Sequence, residues 1–157
     1  MKPIRYWDAN AFLGWFNDEA GRANLCENVL ALAEEGKLLI VTSAITLTEV
    51  IRLEGKPRLK PEQEETIRKF FEREYIIVRN VDRVVAERAR QLIWEHSFLR
   101  PKDSIHIATA LELKIPILDT FDDDLLKLDG KLGNPVLRIG KPNLAYQGDL
   151  GLSKKNK

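Results

Sequence analysis

Leu38-Leu39-Ile40-Val41-Thr42-Ser43-Ala44-Ile45-Thr46-Leu47-Thr48-Glu49-Val50 is the stretch that decides the fold class. Its first four residues form a short apolar run without alternation, the pattern of a strand covered on both faces, and the run stops at Thr42 and Ser43. From Ala44 to about Leu53 the pattern turns helical: Thr46 and Glu49 fall on one side, one turn apart, while Val50 and Ile51 can face a sheet. A strand passing straight into a helix opens a βα unit. Similar runs recur at Ile4–Trp7, which ends at Asp8, and at Tyr75–Val78, Ile115–Leu118 and Val136–Ile139. Between them, Leu25, Val29, Leu32 and Ala33 share a helical face before Gly36, and Val85, Ala89, Leu92, Ile93 and His96 share another before Pro101. A further helix is read from Pro61 to Phe71. The alternation predicts an α/β fold, a three-layer α/β/α sandwich with a mainly parallel sheet of about five strands joined by right-handed crossovers.

A chain of 157 residues is the size of one domain and buries about two-thirds of the surface its unfolded form exposes. Hydrophobic residues at 44% and charged residues at 31% exclude a disordered chain or a coiled coil. Residues 1–140 are read as the domain and residues 141–157 as a polar C-terminal tail that adds little to the core. The N-terminus lacks the apolar segment of a secretory leader, and no stretch approaches the roughly 20 apolar residues that span a bilayer, so a cytoplasmic protein with no membrane partner is expected. Cys26 is the only cysteine, which excludes an internal disulfide and a cysteine-based zinc site. The net charge of +1 gives no sign of a nucleic-acid partner, but its distribution is uneven. Basic residues gather at Arg52, Lys56, Arg58 and Lys60 and again at Arg68, Lys69 and Arg73, and acids gather at Asp122, Asp123 and Asp124.

In a doubly wound sheet, ligands bind beyond the carboxyl ends of the strands, so acids there are informative. Asp8 follows the first strand, Asp119, Asp122, Asp123 and Asp124 follow the fourth, Glu49 lies on the helix after the second, and Asp103 begins a helix. If they converge, unit charges about 4 Å apart repel by roughly 4 kcal/mol at an effective dielectric near 20. A hard divalent cation removes that repulsion, and oxygen donors suit Mg²⁺ or Mn²⁺ rather than zinc. Each acid alone has a structural reading as well: Asp8 as a strand end, Glu49 as a solvated helix residue, Asp103 as a helix cap, and the Asp122–Asp124 run as the cap of a short helix. Their convergence is what carries the chemistry.

Four motifs occur in one order: Tyr-Trp-Asp8-Ala-Asn10; Ser43-Ala-Ile-Thr46-Leu-Thr-Glu49-Val; Asp103-Ser-Ile-His106-Ile-Ala-Thr-Ala; and Ile-Leu-Asp-Thr120-Phe-Asp122-Asp-Asp124-Leu. From Ile4 to about Ile139 this arrangement resembles the PIN-domain nucleases, above all the VapC-type toxins. The resemblance implies a PIN-like sandwich and a metal-dependent endoribonuclease that uses Mg²⁺ or Mn²⁺ and leaves a 5′-phosphate. It implies that Asp8, Glu49, Asp103 and Asp122 hold the metal, with Asp124 a fifth acid, and that Asn10, Thr46 and Thr120 orient them. It also implies single-stranded or looped RNA as substrate, a role as the toxin of a type II toxin–antitoxin pair, a small antitoxin as partner, and a homodimer. Arg52 and His106, each one turn from an acid of the set, are candidates for substrate contact, His106 for proton transfer too. The bland reading of both is an ordinary helix residue, and of Trp7, Trp15 and Phe16, core packing rather than base stacking.

Three rivals remain. A phosphoacceptor receiver domain is also doubly wound, and Lys141-Pro142 resembles its Lys-Pro, but such domains place paired acids after the first strand and an acceptor Asp after the third, where Arg79-Asn80 stands here. A haloacid-dehalogenase phosphatase needs Asp-x-Asp after the first strand, and Asn10 occupies the second place. A non-toxin RNA-processing enzyme or an inactive PIN-like module that binds RNA or protein shares every motif.

Overall fold

Short apolar runs pair as parallel strands only when helices cover both faces, and here they do. The structure, a computed structural model, describes residues 2–51 and 57–144. Strands β1 (Ile4–Trp7), β2 (Leu39–Ser43), β3 (Ile76–Arg79), β4 (Ile117–Asp119) and β5 (Arg138–Gly140) form one sheet in the order β3-β2-β1-β4-β5. Every pairing is parallel, so the expected mainly parallel sheet is wholly parallel among the described residues. Helices α1 (Ala9–Phe16), α2 (Ala23–Glu34) and α4 (Glu64–Phe71) pack on the Trp7 face, and α5 (Arg83–Glu95) and α6 (Pro101–Glu112) on the Tyr6 face, each face with its own apolar cluster. Short helices α3 (Ala44–Glu49) and α7 (Asp123–Leu126) follow β2 and β4 at the sheet's carboxyl edge.

Some boundaries differ from the sequence reading, each for a local reason. Helix α3 ends at Glu49, short of Leu53; residues 52–56, with Arg52 and Lys56, lie outside the described residues. Past that end the helical face no longer holds: Val50 is buried, but Ile51, expected against the sheet, is 45% exposed. Helix α1 has no helical period, because its residues Ala9, Ala11, Phe12, Leu13 and Gly14 are all buried; the Asp8 side chain starts it by accepting the Ala11 N–H. Gly36 stops α2 as expected, at φ +76°, with Lys37 N–H donating to the Leu32 carbonyl and its own N–H to Ala33. Asp119 is the last residue of β4 rather than a residue after it. The start of the tail is tied to the domain, since the Asn143 carbonyl accepts a hydrogen bond from Arg5 Nη2 at 3.2 Å. Residues 145–157 lie outside the described residues. Among the described residues no helix is long and apolar enough to cross a membrane.

Candidate active site

The chain winds outward from β1 to β2 and β3 and then returns past β1 to β4, which puts the switch point of the sheet between β1 and β4. Asp8 leaves β1 at this point. Its Oδ1 accepts the Ala11 N–H at 3.0 Å and so caps α1, and its Oδ2 accepts the Thr120 hydroxyl. Thr120 Oγ1 in turn accepts the Asp122 N–H at 3.0 Å. One hydroxyl therefore ties the acid after β1 to the acid after β4. Asp122 caps α7, its Oδ1 accepting from Asp124 and Leu125, as the structural reading of this residue expects.

A cleft of about 630 Å³ opens beside this pair, lined by Asn10, Glu49, Arg100, Lys102, Asp103 and Asp122 among others. Asp103 is not a helix cap: α6 begins at Pro101 after Arg100, and Asp103 stands in its first turn, where the helix dipole favours a carboxylate. Arg100 Nε lies 3.4 Å from its Oδ2. Glu49 is the last residue of α3, and its Oε1 lies 2.9 Å from His106 Nε2. Asp8 is 2% exposed and does not line the cleft, whose wall includes its neighbour Ala9.

The electrostatics are those of acids with too little positive charge near them. Burial pushes the Asp8 carboxyl up to about 6, and Asp122 adds to the shift against the opposing pull of His106, Thr120 and the Ala11 N–H. Asp103 is also raised, by partial burial and then by Asp122, with Arg100 opposing. The donors are carboxylates supported by a hydroxyl and an amide, with no thiol, which is the chemistry of a hard divalent cation. Among the described residues, no three His, Cys, Asp or Glu side chains stand close enough together to enclose an ion. Glu49, Asp103 and Asp122 border one cleft, and Asp8 does not line it.

Other sequence candidates fall elsewhere. Asp124 does not line the cleft; its Oδ1 takes Lys127 Nζ at 2.9 Å. Among the described residues the Thr46 hydroxyl hydrogen-bonds none of the acids: it meets Thr42 Oγ1 at 2.7 Å, and Thr42 donates to the Trp7 carbonyl, which ties α3 to the end of β1. Asp119 is a structural acid, held by Arg5 at 2.7 and 2.8 Å and by the Trp7 indole at 2.8 Å. Asp123 is exposed. His106 is 2% exposed with both ring nitrogens hydrogen-bonded. Trp7 is buried in the core, and Trp15 and Phe16 pack on Phe70. The basic group at Arg68, Lys69 and Arg73 is answered by Glu65, Glu72 and Glu34. Sequence reasoning missed Tyr6, the partner of His106, and also Arg100 and Lys102 on the cleft rim; a charged Arg5 inside an apolar strand was the one signal of a buried partner.

The PIN domain family model matches residues 5–131, and the chain belongs to the PIN domain family. Among solved structures, Mycobacterium tuberculosis VapC20, described as a sarcin–ricin loop cleaving toxin, is similar at 17% identity and TM-score 0.64, over 78% of this chain and 93% of that one. A toxin–antitoxin complex from Klebsiella pneumoniae matches at 24% identity and TM-score 0.64, over 88% and 98%. FitAcB from Neisseria gonorrhoeae matches at 18% identity and TM-score 0.56, over 88% and 97%. No curated protein sequence matches the chain.

Proposed function

We propose that this chain is a metal-dependent endoribonuclease that hydrolyses RNA phosphodiester bonds, and that it is the toxin of a type II toxin–antitoxin pair. The observation that carries the reading is the Asp8–Thr120–Asp122 bridge beside a cleft whose wall continues to Glu49 and Asp103. Membership in the PIN domain family supports it. Asp8, Glu49, Asp103 and Asp122 would hold Mg²⁺ or Mn²⁺. When bound, such a cation supplies an activated water and charge stabilisation for the leaving oxygen.

The residues of the chain do the rest. Thr120 and the first turn of α1 hold Asp8 in place, and α7 holds Asp122 through its cap. Asn10 faces the cleft from α1, where it can orient a water or a carboxylate. Arg100 and Lys102 on the rim attract the phosphate backbone. Hydrolysis forms a bond from the water oxygen to phosphorus and breaks the bond to the ribose 3′ oxygen, which leaves a 5′-phosphate. A looped RNA is the first substrate to try, because VapC20 is described as cleaving such a loop. An antitoxin partner is supported by the Klebsiella complex; a homodimer and a cytoplasmic site of action belong to the same reading.

The test is RNA cleavage by the purified chain in Mn²⁺, in EDTA, and as Asp8→Asn. Cleavage should fall by orders of magnitude in EDTA and in the variant, with the fold unchanged by circular dichroism. Wild-type rates from Asp8→Asn overturn the site. The open spacing of the acids favours one second reading, a non-catalytic RNA- or protein-binding module. RNA binding without cleavage in Mn²⁺ decides for it.

A further inference from the structure

Glu49 is the exception among the cleft acids, because no local backbone holds it. Asp8 and Asp122 each cap a helix, and Asp103 stands in the first turn of one, so the chain itself aims all three. Glu49 ends α3, a six-residue helix, on a long side chain that must approach other acids. What meets it is His106 on α6, and behind His106 stands Tyr6 on β1: Tyr6 Oη lies 2.6 Å from Nδ1, and Nε2 lies 2.9 Å from Glu49 Oε1.

The carboxylate fixes the direction of the bond at Nε2, and a neutral ring sets that of the bond at Nδ1. A carboxylate only accepts, so Nε2 carries a hydrogen and donates it to Glu49. In the neutral ring Nδ1 is then a lone pair, and the Tyr6 hydroxyl donates to it. The rings also meet edge to face, with centroids 5.7 Å apart, which fixes the imidazole plane. Both Tyr6 and His106 are almost fully buried, so the bond between them is closed to water, while the bond to Glu49 is part-buried at the cleft. Glu49 Oε2 makes no hydrogen bond among the described residues, which leaves it for a ligand in the cleft.

We propose that Tyr6 and His106 form a hydrogen-bonded relay that positions the Glu49 carboxylate for the divalent cation. His106 is thereby a positioning residue that touches neither RNA nor metal. This rests on the nuclease reading above, since Glu49 needs positioning only if it is a ligand.

The experiment is Mn²⁺ binding to the full chain by isothermal titration, with thermal melting as the control for folding. Tyr6→Phe removes one oxygen, His106→Leu removes both bonds, His106→Gln restores an N–H donor near the position of Nε2, and Glu49→Gln removes the ligand. The relay predicts that Tyr6→Phe and His106→Leu weaken Mn²⁺ binding by about 10- to 100-fold, as loss of a group behind a metal ligand does, and that His106→Gln recovers most of it. Nitrogen shifts of the imidazole should report hydrogen on Nε2 in the wild type, and Tyr6→Phe should move the Nδ1 resonance; His96 is the one other histidine to assign. Wild-type Mn²⁺ affinity in His106→Leu, with affinity lost in Glu49→Gln, overturns the relay and leaves the nuclease reading standing. Wild-type affinity in Glu49→Gln, or no binding by the wild type, overturns both.

Discussion

Asp8 is a carboxylate almost wholly withdrawn from water, its charge answered by the pull of His106 and by hydrogen bonds from Thr120 and the Ala11 N–H. Its folded pKa of about 6 stands above the unfolded value, so the folded state binds the proton more tightly. The sign follows: the stabilisation is complete below about pH 4 and is lost as the pH rises through about 6. The shift of about two units corresponds to about 3 kcal/mol, taken in full because the group is buried. In EDTA, Asp8→Asn should therefore be more stable than the wild type at pH 8, with the gap closing toward pH 4, as read by urea unfolding. Parallel curves for the two proteins across that range contradict a buried uncompensated charge. Thr120 joins this residue to Asp122; the sequence analysis names Thr120 as an orienting residue but not its bond to Asp8, which is 112 positions away.

At the scale of elements, the two central strands are joined by ladder bonds and also by the ion pair of Arg5 and Asp119, both fully buried. Burial raises the Asp119 carboxyl, and the Arg5 guanidinium and Trp7 indole oppose it. Removing one partner leaves the other charged in the interior, which costs about 3–5 kcal/mol. Asp119→Ala should lose that much in urea unfolding, whereas the double change Arg5→Met, Asp119→Leu should lose far less. A single variant within about 0.5 kcal/mol of the wild type, the range of surface changes, contradicts the role given to the pair.

This pair also marks where sequence reading stops. The strands could be read because a parallel sheet forces short apolar runs, and Gly36 and Pro101 punctuated the helices. Helix α1 was missed because burial on all sides erases its period, and α3 was overextended because Val50 and Ile51 continue the pattern where the helix does not. Of the candidate site, Asp8, Glu49, Asp103 and Asp122 could be named through their motifs, and the last three line one cleft. What separates Asp119 and Asp124 from them could not, because their partners, Arg5 and Lys127, are chosen by packing.

Across the whole molecule, net charge is a poor guide because charges cancel locally. The group at Arg68, Lys69 and Arg73 is already paired with acids, so an RNA strand has little to gain there. Arg100, itself 3.4 Å from Asp103, and Lys102 stand on the rim of the acidic cleft. If each contacts one phosphate, Arg100→Ala with Lys102→Ala should flatten the slope of log affinity against log salt by about 1.4 for single-stranded RNA. An unchanged slope in a KCl series moves the RNA path elsewhere.

The account depends on a cation drawing together acids from four parts of the chain. Crystals grown with Mn²⁺ and recorded at the manganese absorption edge test it most directly. The account predicts an anomalous peak in the cleft, within bonding distance of Asp8 and Asp122 and with Glu49 and Asp103 turned toward it. Density for all four side chains with no manganese among them, or manganese bound only elsewhere, contradicts it.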